Sequence, residues 1–364
     1  MTGFLIRAVA AGAAMLALAG CELGPKDATQ TGYRGAGLEQ VVDRSNIVKA
    51  SAIPPAPYPL PPDGGGSAGA SYQNLKVLGG MSKDRFDHLM AEITLWVAPP
   101  EEGCNYCHNP ANLASDEKYT KLAARRMLEM TRTINTQWSS HVQQTGVTCY
   151  TCHRGQAVPE YKWAVADDPA GSRTIRGNKR GQNSPDPNVG YASLPSDPFV
   201  GYFSGAGQIK VASDKALPSA SHVASIKDAE KTYGLMMHIS SALGVNCTYC
   251  HNSQSFRAWN LSRAQRGTAY YGIRMVRNIN EDYITPLAPI FPANRKGPHG
   301  DPYKVNCTTC HQGQSKPLGG VSMLDQAPWL AQSSTPVAVP KGGPRAPAAI
   351  PKAFRDPAEM TDTR

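Results

Sequence analysis

Histidine is scarce in this chain, at 9 of 364 residues, and cysteine is equally so at 9. Beyond residue 20 no stretch is long and apolar enough to cross a bilayer, which takes about 20 residues, so repeated membrane spans are excluded. Convincing period-two alternation is missing too, which sets aside sandwiches and barrels. What remains is a mainly α chain with long irregular loops. Acidic residues are also short, 28 against 37 Lys and Arg, leaving a net charge of +9 and a pI of about 9.1. That balance alone would suit nucleic acid, but an export signal and a set of cofactor-attachment motifs argue for no nucleic acid partner.

The two scarce residue types coincide. Cys104-Asn105-Tyr106-Cys107-His108 has the form Cys-x-x-Cys-His, and the form returns at Cys149 to His153, Cys247 to His251 and Cys307 to His311. Such a run attaches haem covalently: two thiols add across the vinyl groups of one porphyrin, and the adjacent His is held where its ring nitrogen ligates the iron. Zinc half-sites and thioredoxin-type pairs also begin with Cys-x-x-Cys. Zinc ribbons bring two pairs close together, whereas these are separated by about forty to a hundred residues, and neither alternative asks for His after every second Cys. The expectation is four covalently bound c-type haems, with thioethers at Cys104, Cys107, Cys149, Cys152, Cys247, Cys250, Cys307 and Cys310. His108, His153, His251 and His311 are the matching iron ligands.

The ninth cysteine sits elsewhere. Residues 1–20 carry Arg7 and a short apolar run, an export signal rather than a span. They end Leu18-Ala19-Gly20-Cys21, which looks like a bacterial lipobox; cleavage there would leave a lipid on Cys21 as the first mature residue, an anchor in the membrane. From 21 to 80 the chain is an arm rich in Pro and Gly, with Pro54-Pro55-Ala56-Pro57-Tyr58-Pro59 and Gly64-Gly65-Gly66. Such a segment cannot bury a core by itself and is either a stalk or an arm laid over a partner. Residues 321–364 have the same character and are expected to form a loosely ordered tail.

Between the arms the chain repeats once. Motifs one and three run on as His-Asn, motif two as His153-Arg154-Gly155-Gln156 and motif four as His311-Gln312-Gly313-Gln314. Ahead of the even motifs, Met130-Thr131-Arg132-Thr133-Ile134-Asn135 parallels Met275-Val276-Arg277-Asn278-Ile279-Asn280. Two dihaem halves, 81–163 and 221–320, are therefore expected to be related by an approximate two-fold axis, with 164–220 as a connecting loop. Apolar spacing predicts helices at Lys83–Val97, Lys118–His141, Lys227–Leu243 and Ser262–Asn280.

The sixth ligand decides what each iron can do, since a strong side-chain donor closes it and leaves only electron transfer. Met90 lies fourteen residues before Cys104, Met236 eleven before Cys247, and Met127 on the helix between motifs one and two. These three are the candidates, with Met237 a close competitor and Met81 and Met130 weaker ones. Aligning Asn135 with Asn280 puts Met130 on Met275 but Met127 on Gly272, so the fourth haem lacks an equivalent donor. His141, twelve residues before His153, could supply it if haems two and four are neighbours, in the linear order one, two, four, three. His299 is the runner-up; His88, His222 and His238 read as ordinary surface or hydrogen-bonded side chains.

On these motifs the chain resembles the tetrahaem cytochrome c subunit of the purple bacterial photosynthetic reaction centre, over nearly all of Cys21 to about Gly320. The resemblance implies Met90, Met127 and Met236 as sixth ligands of haems one to three and His141 as that of haem four, with haem three nearest the photo-oxidised bacteriochlorophyll pair. It implies the reaction-centre L and M subunits as partners, a soluble c-type cytochrome or high-potential iron-sulfur protein as donor, and a place on the periplasmic side of the photosynthetic membrane. It implies an electron carrier, not an enzyme with its own substrate. A multihaem reductase, which needs a five-coordinate iron, and a shuttle to another redox complex are the alternatives.

Charge is uneven along the halves. Lys83 to Glu117, around motif one, holds seven acids (Asp84, Asp87, Glu92, Glu101, Glu102, Asp116, Glu117) against Lys83 and Arg85, whereas Arg257 to Lys316 holds nine bases against three acids. The acidic run is expected to steer a basic donor onto haem one.

Overall fold

The computed structural model describes residues 26–30, 39–166, 186–205, 207, 209 and 226–332. The export signal, Cys21, His222, most of the connecting loop and the tail from 333 lie outside the described residues.

Contrary to the strand-free expectation, the first described residues form a small antiparallel ribbon, β1 (Lys26–Gln30) against β2 (Glu39–Asp43), paired from Lys26 with Asp43 to Gln30 with Glu39. It leads directly into α1 (Arg44–Ser51), whose Arg44 guanidinium binds Asp27 and holds that carboxyl below its ordinary pKa. The arm then lies on its own chain. Arg154 donates to the Ala50 carbonyl (2.6 Å), Gln314 to that of Ile47 (2.9 Å) and the Tyr150 hydroxyl to that of Ala52 (3.2 Å), so α1 covers the even motifs.

Helix α2 (Lys83–Val97) forms as predicted and buries Phe86, Leu89 and Trp96 on one face. It stops because Pro99 forces Ala98 into extended backbone (ψ 143°). The next helix ends earlier than expected. α3 (Tyr119–Gln137) breaks at Trp138 (φ −110°, ψ 28°), whose buried indole turns to donate to Asn278 Oδ1 (3.1 Å), and His141 sits on a separate turn, α4 (Ser139–Val142). Motif two is α5 (Cys149–His153). α6 (Ile226–Leu243) closes at Gly244, left-handed at φ 61°, the usual residue for a helix exit. α7 (Ala264–Asn278) runs into a widened π turn, Ile279–Ile284, which swings Asn280 inward; motif four is α8 (Cys307–His311).

Apolar side chains gather in three clusters: around α2 (Phe86, Leu89, Trp96), around α6 (Phe199, Phe203, Leu235), and between α3 and α7 (Ile134, Trp138, Met275, Ile279). Met127, Met130 and Met275 all touch the third, Met90 the first and Met236 the second. The expected tail does not begin at 321. Met323, Ala327 and Leu330 are buried in the α2 cluster, and residues 322–332 strap α3 and the loop before α5: Asn135 donates to the Leu330 carbonyl (2.9 Å), Arg132 to that of Gln332 (2.9 Å) and Ser322 to that of Thr145 (2.9 Å). Likewise Trp163, placed at the close of the first half, pairs with the second: it exchanges backbone bonds with Lys304 and gives its indole N–H to the Val305 carbonyl (2.9 Å).

Candidate haem sites

The four motifs take two shapes. Motifs one and three are single 3-10 turns, Gly103–Tyr106 and Cys247–Tyr249, in which the His108 and His251 amides donate to the Cys104 and Cys247 carbonyls at 3.0 Å. Motifs two and four are helical because a capping box starts each one: the Thr148 amide donates to Thr151 Oγ1 (3.0 Å) and the Asn306 amide to Thr309 Oγ1 (2.9 Å). Both end alike, at Arg154 (φ 52°) and Gln312 (φ 49°), each followed by a left-handed glycine. Gly155 N–H then reaches the Trp96 carbonyl (2.9 Å) and Gly313 N–H that of Ala242 (2.8 Å).

That last pair of bonds sets the register of α2 against α6. Trp96 matches Ala242, so Met90 matches Met236, while Met237 is carried toward another wall, where a Cβ on Gly190 would meet its Cε at 3.3 Å. One turn beyond Met90, Thr94 Oγ1 approaches Cys104 Sγ at 3.9 Å, bringing that helix to motif one.

The histidines meet the requirement of a metal ligand. Nδ1 of His108 contacts the Leu113 carbonyl (3.0 Å), that of His153 Gln156 (2.9 Å), that of His251 Phe256 (2.8 Å) and that of His311 Gln314 (2.8 Å). A carbonyl only accepts, so the proton is on Nδ1 and each Nε2 presents a lone pair, the arrangement that fixes tautomer and ring plane in histidine-ligated metal sites. Burial holds His153 and His251 below the ordinary imidazole range and His311 down to about 4, so these rings are neutral.

His141 shares the pattern. Its Nδ1 donates to the Thr268 carbonyl (2.9 Å), and its ring centroid lies 6.0 Å from that of His311 with the planes at 68°. Two imidazoles bound on opposite sides of one metal through bonds of ~2 Å hold their centroids about 6 Å apart, so this pair fits a single iron between them. His299, by contrast, is exposed. His88 is buried with Nε2 on the Tyr58 carbonyl (2.9 Å); His238, buried against Phe199, has Nδ1 on the Asn188 carbonyl (3.1 Å) and Nε2 unbonded, so it shares the ring setting of His141 and lacks only a facing motif histidine.

Burial keeps the thiols in their neutral form. Burial pushes Cys149 and Cys307 up to about 12 and Cys250 to about 11, away from the low values of reactive or metal-bound thiolates. One arrangement departs from the sequence reading. Cys152 and Cys310 are joined through their sulfurs, because α5 and α8 cross where these residues meet, Cα to Cα 4.6 Å. A sulfur held this way cannot also form a thioether, so haem attachment at these two positions requires the pair to be open.

Three residues near the motifs have settings that the sequence did not reveal, Glu92 among them, which was counted with the steering acids and is buried. Arg295 donates to the Tyr106 hydroxyl (2.8 Å) and its charge reaches His153, linking motifs one and two. Glu92 is buried with neither oxygen bonded, and burial raises it to about 7. Asn280, fully buried, donates to the Phe203 (3.1 Å) and Val305 (3.0 Å) carbonyls and accepts from Val305 N–H (2.9 Å), as Asn135 does around Val147. The matched endings Ile134-Asn135 and Ile279-Asn280 were the available signal for it.

Among the described residues no helix is long and apolar enough to cross a membrane. Residues 22–331 match the model of the family described as the photosynthetic reaction centre cytochrome C subunit. Similar proteins carrying the name photosynthetic reaction center cytochrome c subunit occur in Rubrivivax gelatinosus (50% identical over 315 residues, 86% of each chain) and in Thermochromatium tepidum (44% over 342 residues, 93% of this chain and 84% of the relative). Another, from Roseobacter denitrificans, is 37% identical over 330 residues, 85% of this chain and 86% of the relative. The chain belongs to the photosynthetic reaction centre cytochrome c subunit family, a membrane-associated electron-transfer component of photosynthesis with covalently bound c-type haem.

Proposed function

We propose that this subunit is a tetrahaem relay, anchored by lipid at Cys21 on the periplasmic side of the photosynthetic membrane, that re-reduces the photo-oxidised special pair. It sits on the L and M subunits and takes electrons from a soluble c-type cytochrome or high-potential iron-sulfur protein. The observation that carries the reading is the common setting of the four motif histidines, each with Nδ1 tied to a backbone carbonyl and Nε2 left to bind. When bound, haem supplies one-electron exchange; the polypeptide does the rest.

Eight cysteines, 104, 107, 149, 152, 247, 250, 307 and 310, hold the porphyrins. His108, His153, His251 and His311, together with Met90, Met127, Met236 and His141, would supply the ligands of the four irons. Thioether sulfur raises a haem potential relative to imidazole, so the fourth haem differs from its neighbours. The order one, two, four, three is supported by the crossing of α5 and α8, which sets motifs two and four side by side. The recurring Asn–Val bonds and matched glycine exits support two halves about a pseudo-two-fold axis. Around motif one, Asp87 pairs with Lys83, Asp116 with Arg125, and Glu92 is buried, so Asp84, Glu101, Glu102 and Glu117 are left to attract a basic donor, with Glu101 and Glu102 adjacent and exposed just before Cys104.

A flash-induced absorbance measurement on membranes tests the reading. Haem oxidation should follow the flash and its extent should fall when this subunit is removed; haem bands indifferent to light would refute it.

A further inference from the structure

We infer that Gly272 is a positioning residue for haem four: its missing side chain opens on α7 the place that Met127 fills on α3, and so lets the His141 ring cross from the other half of the molecule. The inference rests on His141 as the sixth ligand of that haem. The register is set by bonds of the structure. Asn135 and Asn280 grip Val147 and Val305 in the same way, and Arg132 and Arg277, three residues earlier, each donate to a neighbouring backbone carbonyl (2.9 and 3.0 Å), which makes Gly272 the counterpart of Met127. A helix-interior glycine is disfavoured against alanine, and Gly272 is a buried one. The reason is steric. A Cβ built there would lie 2.5 Å from His141 Cε1, 2.8 Å from Nδ1 and 3.2 Å from Nε2. The ring has little freedom to retreat, because Nδ1 is bonded to the Thr268 carbonyl one turn earlier on the same helix and the His311 ring stands 6.0 Å away. Losing one methionine from the repeat thus both removes a sulfur donor and admits an imidazole.

The test uses the full subunit in its membranes, read by low-temperature magnetic resonance of the oxidised haems and by carbon monoxide binding to the reduced ones. Gly272→Ala should abolish the bis-histidine signal, raise carbon monoxide uptake at a single haem at least tenfold, and leave the other three signals in place; an intact bis-histidine signal overturns the inference. His141→Ala separates the two layers. If it leaves all four signals unaltered, the ligand reading itself fails. If it alters haem four while Gly272→Ala does not, the ligand reading stands and only the role of Gly272 falls. Should Gly272→Ala not accumulate, the double variant with His141→Ala removes the clash: recovery of holoprotein supports the inference, and continued absence overturns it.

Discussion

Asn280 offers a sharp test of how the chain holds motif four. It is fully buried and its three bonds tie the π turn after α7 to the strand-like residues that enter Cys307. In Asn280→Ala, the Val305 carbonyl keeps the Trp163 indole N–H (2.9 Å), but Val305 N–H and the Phe203 carbonyl lose the partners they have here. Each buried orphan costs about 1–3 kcal/mol, so a total of about 3 kcal/mol is expected, or roughly 4 °C in the unfolding midpoint of a chain this size. Asn135 makes the matching bonds but is only half buried, so Asn135→Ala should cost about 1–2 kcal/mol. The assay is chemical unfolding of the purified holoprotein followed by circular dichroism, with the haem-four signal as a local reporter. A loss under about 1 kcal/mol for Asn280→Ala, or one no greater than that of Asn135→Ala, would refute the reasoning.

Glu92, moved from 4.5 to about 7, favours its protonated form in the fold. Its contribution is present below pH 4.5 and lost as pH rises through about 7, on the order of 3 kcal/mol across that window; Glu92→Gln should flatten this part of the stability curve between pH 5 and 8, and parallel curves would count against it. Reversing Glu101 and Glu102 to Lys should slow reduction by a basic soluble donor several-fold at low ionic strength, with the gap closing at high salt; an unchanged bimolecular rate rejects steering. Intact-mass and thiol analysis of the mature protein should give four haems and no disulfide; a persisting Cys152–Cys310 bond would show that haems two and four hang from one sulfur each.

Much of the site was legible because covalent haem attachment demands a contiguous pentapeptide, and four copies are visible without any fold. Helix α2 was equally plain, since its apolar spacing and the Pro99-Pro100 stop act locally. The break at Trp138 was not: it depends on an indole finding Asn278 across the interface, a tertiary bond invisible to periodicity. The short ribbon at Lys26–Gln30 was missed because its two strands lack apolar alternation. The strap at 322–332 was missed for the opposite reason, as its Pro and Ser obscured the Met323, Ala327 and Leu330 that anchor it. The match of Met236, and not Met237, to Met90 rests on the bond from Gly313 to Ala242, a contact 71 residues apart in the chain and outside the reach of local pattern.

The crossed closure of the two repeats has a consequence for assembly. Tyr161 to Trp163, just downstream of motif two, finishes the wall of the later repeat, and Ser322 to Gln332, downstream of motif four, finishes that of the earlier one. Neither repeat is complete when its own residues have been synthesised. The first-made portion must wait, unsealed, until the last-made portion arrives, which leaves the cysteines of its motifs open to chemistry for that interval.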